Sequence, residues 1–332
     1  MRVCLLGGIL LALMGCSGGA QDTKPPESGP SAEKGAFKVA LLTPGPISDA
    51  GWSAMAYDGL KAIETDLGAT VNNQEAKGTQ IRDAMRAYAQ DGAKLVFGHG
   101  YEYNEPAIEV AKDFPGTVFV SSSGGLTAPN VGAFRFYLEQ GFYLCGWVAG
   151  KSTKTGTVGM IGGPDVPSIR STFKAFRAGA EAARPGIKVL EVFTGQDNDV
   201  AAAKQAALKT IEQGADFLIH QANAAAQGVF DACKEKGAWA FGANLDQNEN
   251  ASGVVVASAV IVARPAFVAL AKQVRDGTYK GSVVLMGMQD GAIDFRANPA
   301  LKARIGAKVL GEIEAMRAKV MDGSLVVPKD EF

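Results

Sequence analysis

The sequence is poor in the residues that build metal sites and disulfide frameworks. Its 332 residues include only two histidines and four cysteines. His99 and His220 are too few and too isolated for a metal site, and they read as hydrogen-bonding residues at strand ends. Cys4 and Cys16 fall near the N-terminus. Cys145 and Cys233 remain, each inside a helical pattern, and they read as small buried hydrophobes rather than a disulfide pair. Neither charge dominates: 33 Lys and Arg face 34 Asp and Glu. With no basic patch and no helix-turn-helix before the first strand, nucleic-acid binding is not expected. The segment Gly159-Met-Ile-Gly162-Gly163 lacks GxGxxG spacing and no Walker lysine follows, so it reads as a tight strand-to-helix turn. A GxSxG nucleophile elbow is also missing. No cofactor and no metal are expected.

What is present begins with Met1-Arg2, a single positive charge, followed by an apolar run over residues 3–14 and then Gly15-Cys16. A charged start, an apolar stretch and a small residue before the cut make a secretory leader. The run falls short of the ~20 apolar residues a membrane span needs. Leu13-Met14-Gly15-Cys16 also fits the lipoprotein cleavage pattern, so residues 1–15 are expected to be removed and Cys16 to carry lipid. Residues 16–35 then form a Gly/Ser/Pro-rich flexible tether without apolar periodicity. Loss of Arg2 leaves 32 basic against 34 acidic residues in the mature chain.

From residue 37 onward, short β-branched runs alternate with Ala/Lys/Glu/Arg stretches of helical spacing. Strands are expected over 38–43, 69–75, 95–98, 117–121, 133–136, 157–162, 188–194, 217–221, 238–243 and 253–258. Helices are expected over 51–67, 80–91, 107–113, 140–152, 169–183, 199–213, 225–236 and 265–275. Strict alternation implies α/β architecture with doubly wound parallel sheets. The pattern runs in two similar blocks, 37–137 and 139–256, each the size of one open lobe. Ligands of such sheets bind beyond the carboxyl ends of the strands. Here those ends carry polar and aromatic residues, from Ser48-Asp49 and Trp52-Ser53 to Asn244-Leu-Asp246. If the lobes face each other, these loops converge on one cleft.

At this point the chain resembles the basic membrane protein family of lipoproteins, which includes bacterial purine nucleoside receptors. The resemblance runs from Lys38 to Pro328. It is carried by Ile47-Ser-Asp-Ala-Gly-Trp-Ser53 with Tyr57-Asp-Gly-Leu60, Gly156-Thr-Val-Gly-Met-Ile-Gly-Gly163 and Asp199-Val-Ala-Ala-Ala-Lys204. Gln213-Gly-Ala-Asp216, Gly228-Val-Phe230, Gly242 to Asn248, Gly287 to Asp294 and Asn298-Pro-Ala-Leu301 add to it. It implies a type I periplasmic-binding-protein fold, with two lobes joined by three crossovers, serving an ABC importer. The lobes would comprise residues 36–138 with 260–284 and residues 139–259 with 285–332. The implied partners are a purine-like small molecule, an ABC permease and the membrane through the lipid anchor, with the protein itself a monomer. The cell envelope, facing periplasm or exterior, is the implied location.

The candidate ligand contacts are Ser48, Asp49, Trp52, Ser53, Tyr101, Tyr103, Asp165, Asp197, Gln221, Asn223, Asn244 and Asp246. Asp49 and Trp52 look like the family's first-loop aspartate and aromatic, the indole being suited to stacking on a planar ring. Asp246 looks like its aspartate before glutamine, an acceptor for ligand hydroxyl or N–H groups. Three positions depart from the family pattern. Ser53 replaces an asparagine, Asp197 stands where a second stacking aromatic is usual, and Ser258-Ala-Val-Ile261-Val has no lysine for a ribose. These departures weigh toward a nucleobase or another small ligand. Local roles compete with each assignment: Asp49 can cap a helix, Trp52 can fill a core, and Tyr101 and Tyr103 can be surface residues. Asp246 can close an Asx-turn, and Gln221 and Asn223 can bond to neighbouring backbone. A ligand-sensing receptor for a signalling partner, or an exported nucleoside-processing enzyme, are the alternative functions.

Overall fold

The computed structural model describes residues 37–331; the expected leader and the whole of the expected tether, with Cys16, lie outside the described residues. The first buried apolar run forms β1 (Lys38–Thr43), whose side chains from Val39 onward are buried, as expected for a strand covered on both faces. Alternation then continues through α1 (Trp52–Leu67), β2 (Thr70–Glu75), α2 (Gln80–Gln90), β3 (Leu95–Gly98), α3 (Asn104–Ala111), β4 (Val118–Ser122) and β5 (Val131–Phe136). A second series follows: α4 (Glu139–Ser152), β6 (Thr157–Gly162), α5 (Pro167–Ala183), β7 (Lys188–Phe193), α6 (Val200–Glu212), β8 (Phe217–Gln221), α7 (Ala226–Lys236), β9 (Trp239–Asn244) and β10 (Val255–Ile261). The chain ends with α8 (Ala263–Arg275), β11 (Val283–Met286), β12 (Ile293–Ala297), α9 (Lys302–Ile305) and α10 (Ala307–Met321).

Two six-stranded sheets result, ordered β11-β5-β4-β3-β1-β2 and β12-β10-β9-β8-β6-β7. All their ladders are parallel except β10 with β12, which is antiparallel. The chain crosses between sheets three times: after β5 into α4, after β10 into α8 and β11, and after β11 into β12. This is the α/β, two-lobed arrangement expected from the sequence. Strand β10 extends to Ile261, three residues beyond the expected end, because Ala259 to Ile261 pair with β12.

Small residues set the closest helix approach. A Cβ on Gly146 of α4 would lie 2.0 Å from the Phe176 carbonyl oxygen, and one on Gly179 of α5 would lie 2.1 Å from that of Tyr143. The two backbones therefore pack directly, and any side chain at either position would force them apart. Gly59 of α1 plays the same part against Phe267 of α8, with a Cβ 2.6 Å from the ring. That contact returns α8 to the first lobe before β11 joins β5. Cys145 and Cys233 are buried free thiols within α4 and α7. Among the described residues no helix is long and apolar enough to cross a membrane.

Candidate functional site

The parallel strands of both sheets turn their carboxyl ends toward one cavity of about 660 Å³. Its walls come from the loops after β1, β3, β4, β6, β7, β8 and β9 and from the first crossing segment. Such a volume lies within the range of small-molecule sites, ~300–1,000 Å³.

Trp52 opens α1 at the cavity wall, and three contacts hold it. Its indole stacks on the His99 imidazole with ring centroids 3.9 Å apart and planes 23° from parallel. Indole Nε1 donates to the His99 carbonyl at 3.2 Å, and His99 Nε2 lies 2.9 Å from the Trp52 carbonyl. A carbonyl only accepts, so Nε2 carries the imidazole proton. Nδ1 is then the acceptor for the Ser122 hydroxyl at 2.7 Å. Burial pushes the His99 pKa down to about 3, against the opposing pull of the Trp52 carbonyl, so the imidazole stays neutral at physiological pH and keeps the tautomer these bonds set. The indole is a preset platform.

The second lobe contributes a chain of amides. Asp197 Oδ2 accepts from Asn223 Nδ2 at 2.8 Å. Asn223 Oδ1 accepts from Asn244 Nδ2 and from the Trp52 backbone N–H, both at 3.3 Å. Asn244 Nδ2 also donates to Gln221 Oε1 at 3.3 Å. Asn223 therefore bridges the lobes at the cavity rim. Asn223 (φ 41°) and Asn244 (φ 67°) both occupy the left-handed backbone region, which asparagine tolerates better than most residues and which recurs at functional sites. Asn244 is 2 % exposed, yet its Oδ1 has no hydrogen-bond partner among the described residues.

Charge on the walls is mainly negative. Glu102, Glu105, Glu139 and Asp197 line the cavity, with Arg135 the only cation among the described lining residues. Arg135 and Glu139 form a buried ion pair across the first crossing, joined by Ser171. Burial raises the Glu139 carboxyl above its usual range, with Arg135 pulling the other way. Burial likewise raises Glu102. Among the described residues no group of His, Cys, Asp or Glu is placed to hold a metal ion.

Of the residues singled out from sequence, Trp52, Tyr101, Asp197, Gln221, Asn223 and Asn244 line the cavity. The other six sit outside it. Asp49 is buried beside α1, where its two carboxylate oxygens accept from the N–H groups of Gly51, Ser53 and Ala54 at 2.9 Å each, capping the helix. Ser53 is buried within α1, and Ser48 is exposed in the preceding turn. Tyr103 is fully buried and donates its hydroxyl to the Ala76 carbonyl at 2.7 Å. Asp165 is exposed and paired with Arg170. Asp246 accepts from the Asn248 N–H and pairs with Arg296 at 3.5 Å, which makes it an Asx-turn residue on the outer side of the loop.

Sequence reasoning missed Glu102, Asn104, Ser122 and the Arg135–Glu139 pair. Glu102, Asn104 and Ser122 lie at or just beyond strand ends, where the strand-end rule applies without choosing among side chains, whereas Arg135 in β5 and Glu139 in α4 are four apart across a strand–helix junction, outside the helical pairing rule. Asn104 staples the loop after β4 by exchanging hydrogen bonds with the Leu126 backbone at 3.1 and 2.8 Å.

Two α/β lobes with a cavity at the facing strand ends define a ligand-binding protein of the type I periplasmic class. The family described as ABC transporter substrate-binding protein, PnrA-like (Bmp), matches residues 36–331, and the chain belongs to it. It is 28 % identical over 261 residues to a purine-binding protein of Brucella abortus, covering 77 % of this chain and 74 % of the relative. Basic membrane protein A2 of Borrelia garinii is 25 % identical, with 90 % of each chain covered. An ABC transporter solute-binding protein from Conexibacter woesei superposes with a TM-score of 0.75 at 27 % identity, covering 89 % of this chain and 99 % of its own.

Proposed function

We propose that this chain is a lipid-anchored receptor that captures a purine nucleobase or nucleoside in the interlobe cavity and presents it to an ABC permease. The observation that carries the reading is the Trp52 platform, an indole fixed from behind by His99 in a cavity lined also by Asn244, whose buried amide oxygen has no partner among the described residues. An aromatic platform suits the face of a planar ring, and a few placed polar groups suit its edge. The purine-binding relative in Brucella abortus supports the choice of ring. Lobe closure over the ligand follows the hinge mode of such proteins, with the three crossings as hinge. Release to a permease requires no bond to break, so binding without turnover is expected. The anchor rests on Cys16, and the tether behind it keeps the receptor near its membrane partner.

Isothermal titration with adenine, hypoxanthine, adenosine and inosine, followed by chromatography of the mixtures, tests this reading. Saturable 1:1 binding with unchanged ligand is expected. Absence of binding for all four would remove the purine assignment, and conversion of any of them would make the protein an enzyme.

A further inference from the structure

The orientation of the amide chain has a chemical consequence for the ligand. A carboxylate accepts hydrogen bonds, so Asp197 requires Asn223 to turn its NH₂ toward it. Asn223 Oδ1 must then face Asn244, and Asn244 must answer with its own NH₂. The same NH₂ serves Gln221 Oε1. Asn244 Oδ1 is thereby directed away from both amides, buried and unpartnered in a residue that lines the cavity. The Asp197 carboxylate, seconded by the Trp52 N–H on Asn223 Oδ1, thus sets which end of the Asn244 amide is left for a ligand.

Other polar groups of the wall have the same polarity. Glu102 and Glu105 contribute carboxylates. The hydroxyl proton of Ser122 is committed to His99 Nδ1, which leaves its oxygen only lone pairs. Against these stand Gln221 Nε2, a donor beside Asn244 once Gln221 Oε1 accepts from it, and the Arg135 guanidinium, which already donates to Glu139, Ser171 and the Asp330 carbonyl. A planar base meets more acceptors than donors here.

We propose that Asp197 is a positioning residue that sets the hydrogen-bonding polarity of the cleft, so that it selects bases presenting an amino group to Asn244 Oδ1 over those presenting a carbonyl. The proposal rests on the reading of the cleft as a purine site and names the subclass: 6-aminopurines over 6-oxopurines. A carbonyl facing Asn244 Oδ1 leaves two buried acceptors opposed, whereas an amine satisfies the orphan.

Titration calorimetry of adenine and hypoxanthine against the full folded domain, residues 36–332, and its variants tests this. Adenine is expected to bind about tenfold or more tightly than hypoxanthine. In Asp197→Ala, only the long 3.3 Å contact from the Trp52 N–H still favours the present orientation of Asn223, and the ratio of the two affinities should fall to within about threefold, with the melting temperature of the ligand-free protein little changed. Asp197→Asn keeps an acceptor for Asn223 and should retain most of the preference, which a purely structural role would not require. Hypoxanthine binding as tightly as adenine overturns the selectivity. An unchanged ratio in Asp197→Ala overturns the role of Asp197. Failure of both bases to bind overturns the purine reading itself and this inference with it.

Discussion

Replacing Gly51 with alanine should loosen ligand binding without unfolding the protein. Gly51 lies just before α1 at the cavity rim, against Asn223 of the opposite lobe. A Cβ there would sit 2.8 Å from Asn223 Oδ1, 3.1 Å from its Cα and 3.3 Å from its Cβ. The amide oxygen alone could swing away, but the Cα belongs to backbone and the side chain is held by Asp197. The lobes must therefore separate by a few tenths of an ångström at this edge, stretching the 3.3 Å contact between Trp52 N–H and Asn223 Oδ1. Overpacking of a fitted contact costs about 1–3 kcal/mol, here charged to the closed state alone. Ligand affinity should fall roughly 5- to 150-fold, since 1.4 kcal/mol is about tenfold. Most of that change should appear in the dissociation rate, measured by stopped-flow tryptophan fluorescence. The ligand-free protein should melt within about 1 °C of the parent, a shift corresponding to roughly 0.6 kcal/mol for a domain of this size. Unchanged affinity would refute the closure contact, and a fall in ligand-free stability matching the affinity loss would place the clash inside a lobe instead.

Three further outcomes follow from the site. Trp52→Ala should weaken purine binding by about tenfold or more, and Trp52→Phe by less, because a stacked aromatic contact contributes ~0.5–1.5 kcal/mol beyond its buried area; calorimetry reads both. Adenosine should bind far more tightly than adenosine monophosphate, since the phosphate would enter a wall carrying Glu102, Glu105 and Asp197 with Arg135 already paired to Glu139; higher salt should narrow the gap by screening. Stability should fall as pH drops below about 6.5. Burial holds His99 down to about 3 and His220 down to about 4, so below the unfolded value only the unfolded chain gains those protons. Each buried histidine then removes up to ~1.4 kcal/mol per pH unit. Urea melts between pH 7 and 5.5 should show this slope, reduced in His220→Gln.

The alternation of buried runs and helices was readable because most strands are covered on both faces and stand out as apolar blocks. Strands β11 and β12 were not. They are short edge strands: β11 is half exposed, and β12 carries Asp294 and Arg296 among its apolar residues. Neither offers a continuous apolar run. Half of the candidate residues line the cavity for a related reason, since polar residues at the ends of parallel strands face the space beyond the sheet. The rule cannot tell which side of a turn a residue takes. Asn244 and Asp246 are two residues apart, yet the first is buried at the cavity and the second faces Arg296 outside it. Asp49 matched a ligand motif, but the N–H groups opening α1 use both of its oxygens. Arg135 and Glu139 stand four residues apart, but one lies near the end of a strand and the other opens a helix, and they meet Ser171 only through the fold.

The central claim is that the cleft holds a purine against Trp52. Native mass spectrometry of the protein as purified, with chromatographic identification of any released molecule, tests it most directly, because closed binding proteins hold their ligands through dissociation rates. The expected result is one bound purine per chain, lost in Trp52→Ala. A different class of molecule in the cleft, or an unbound protein that no purine stabilises against heat, would contradict it.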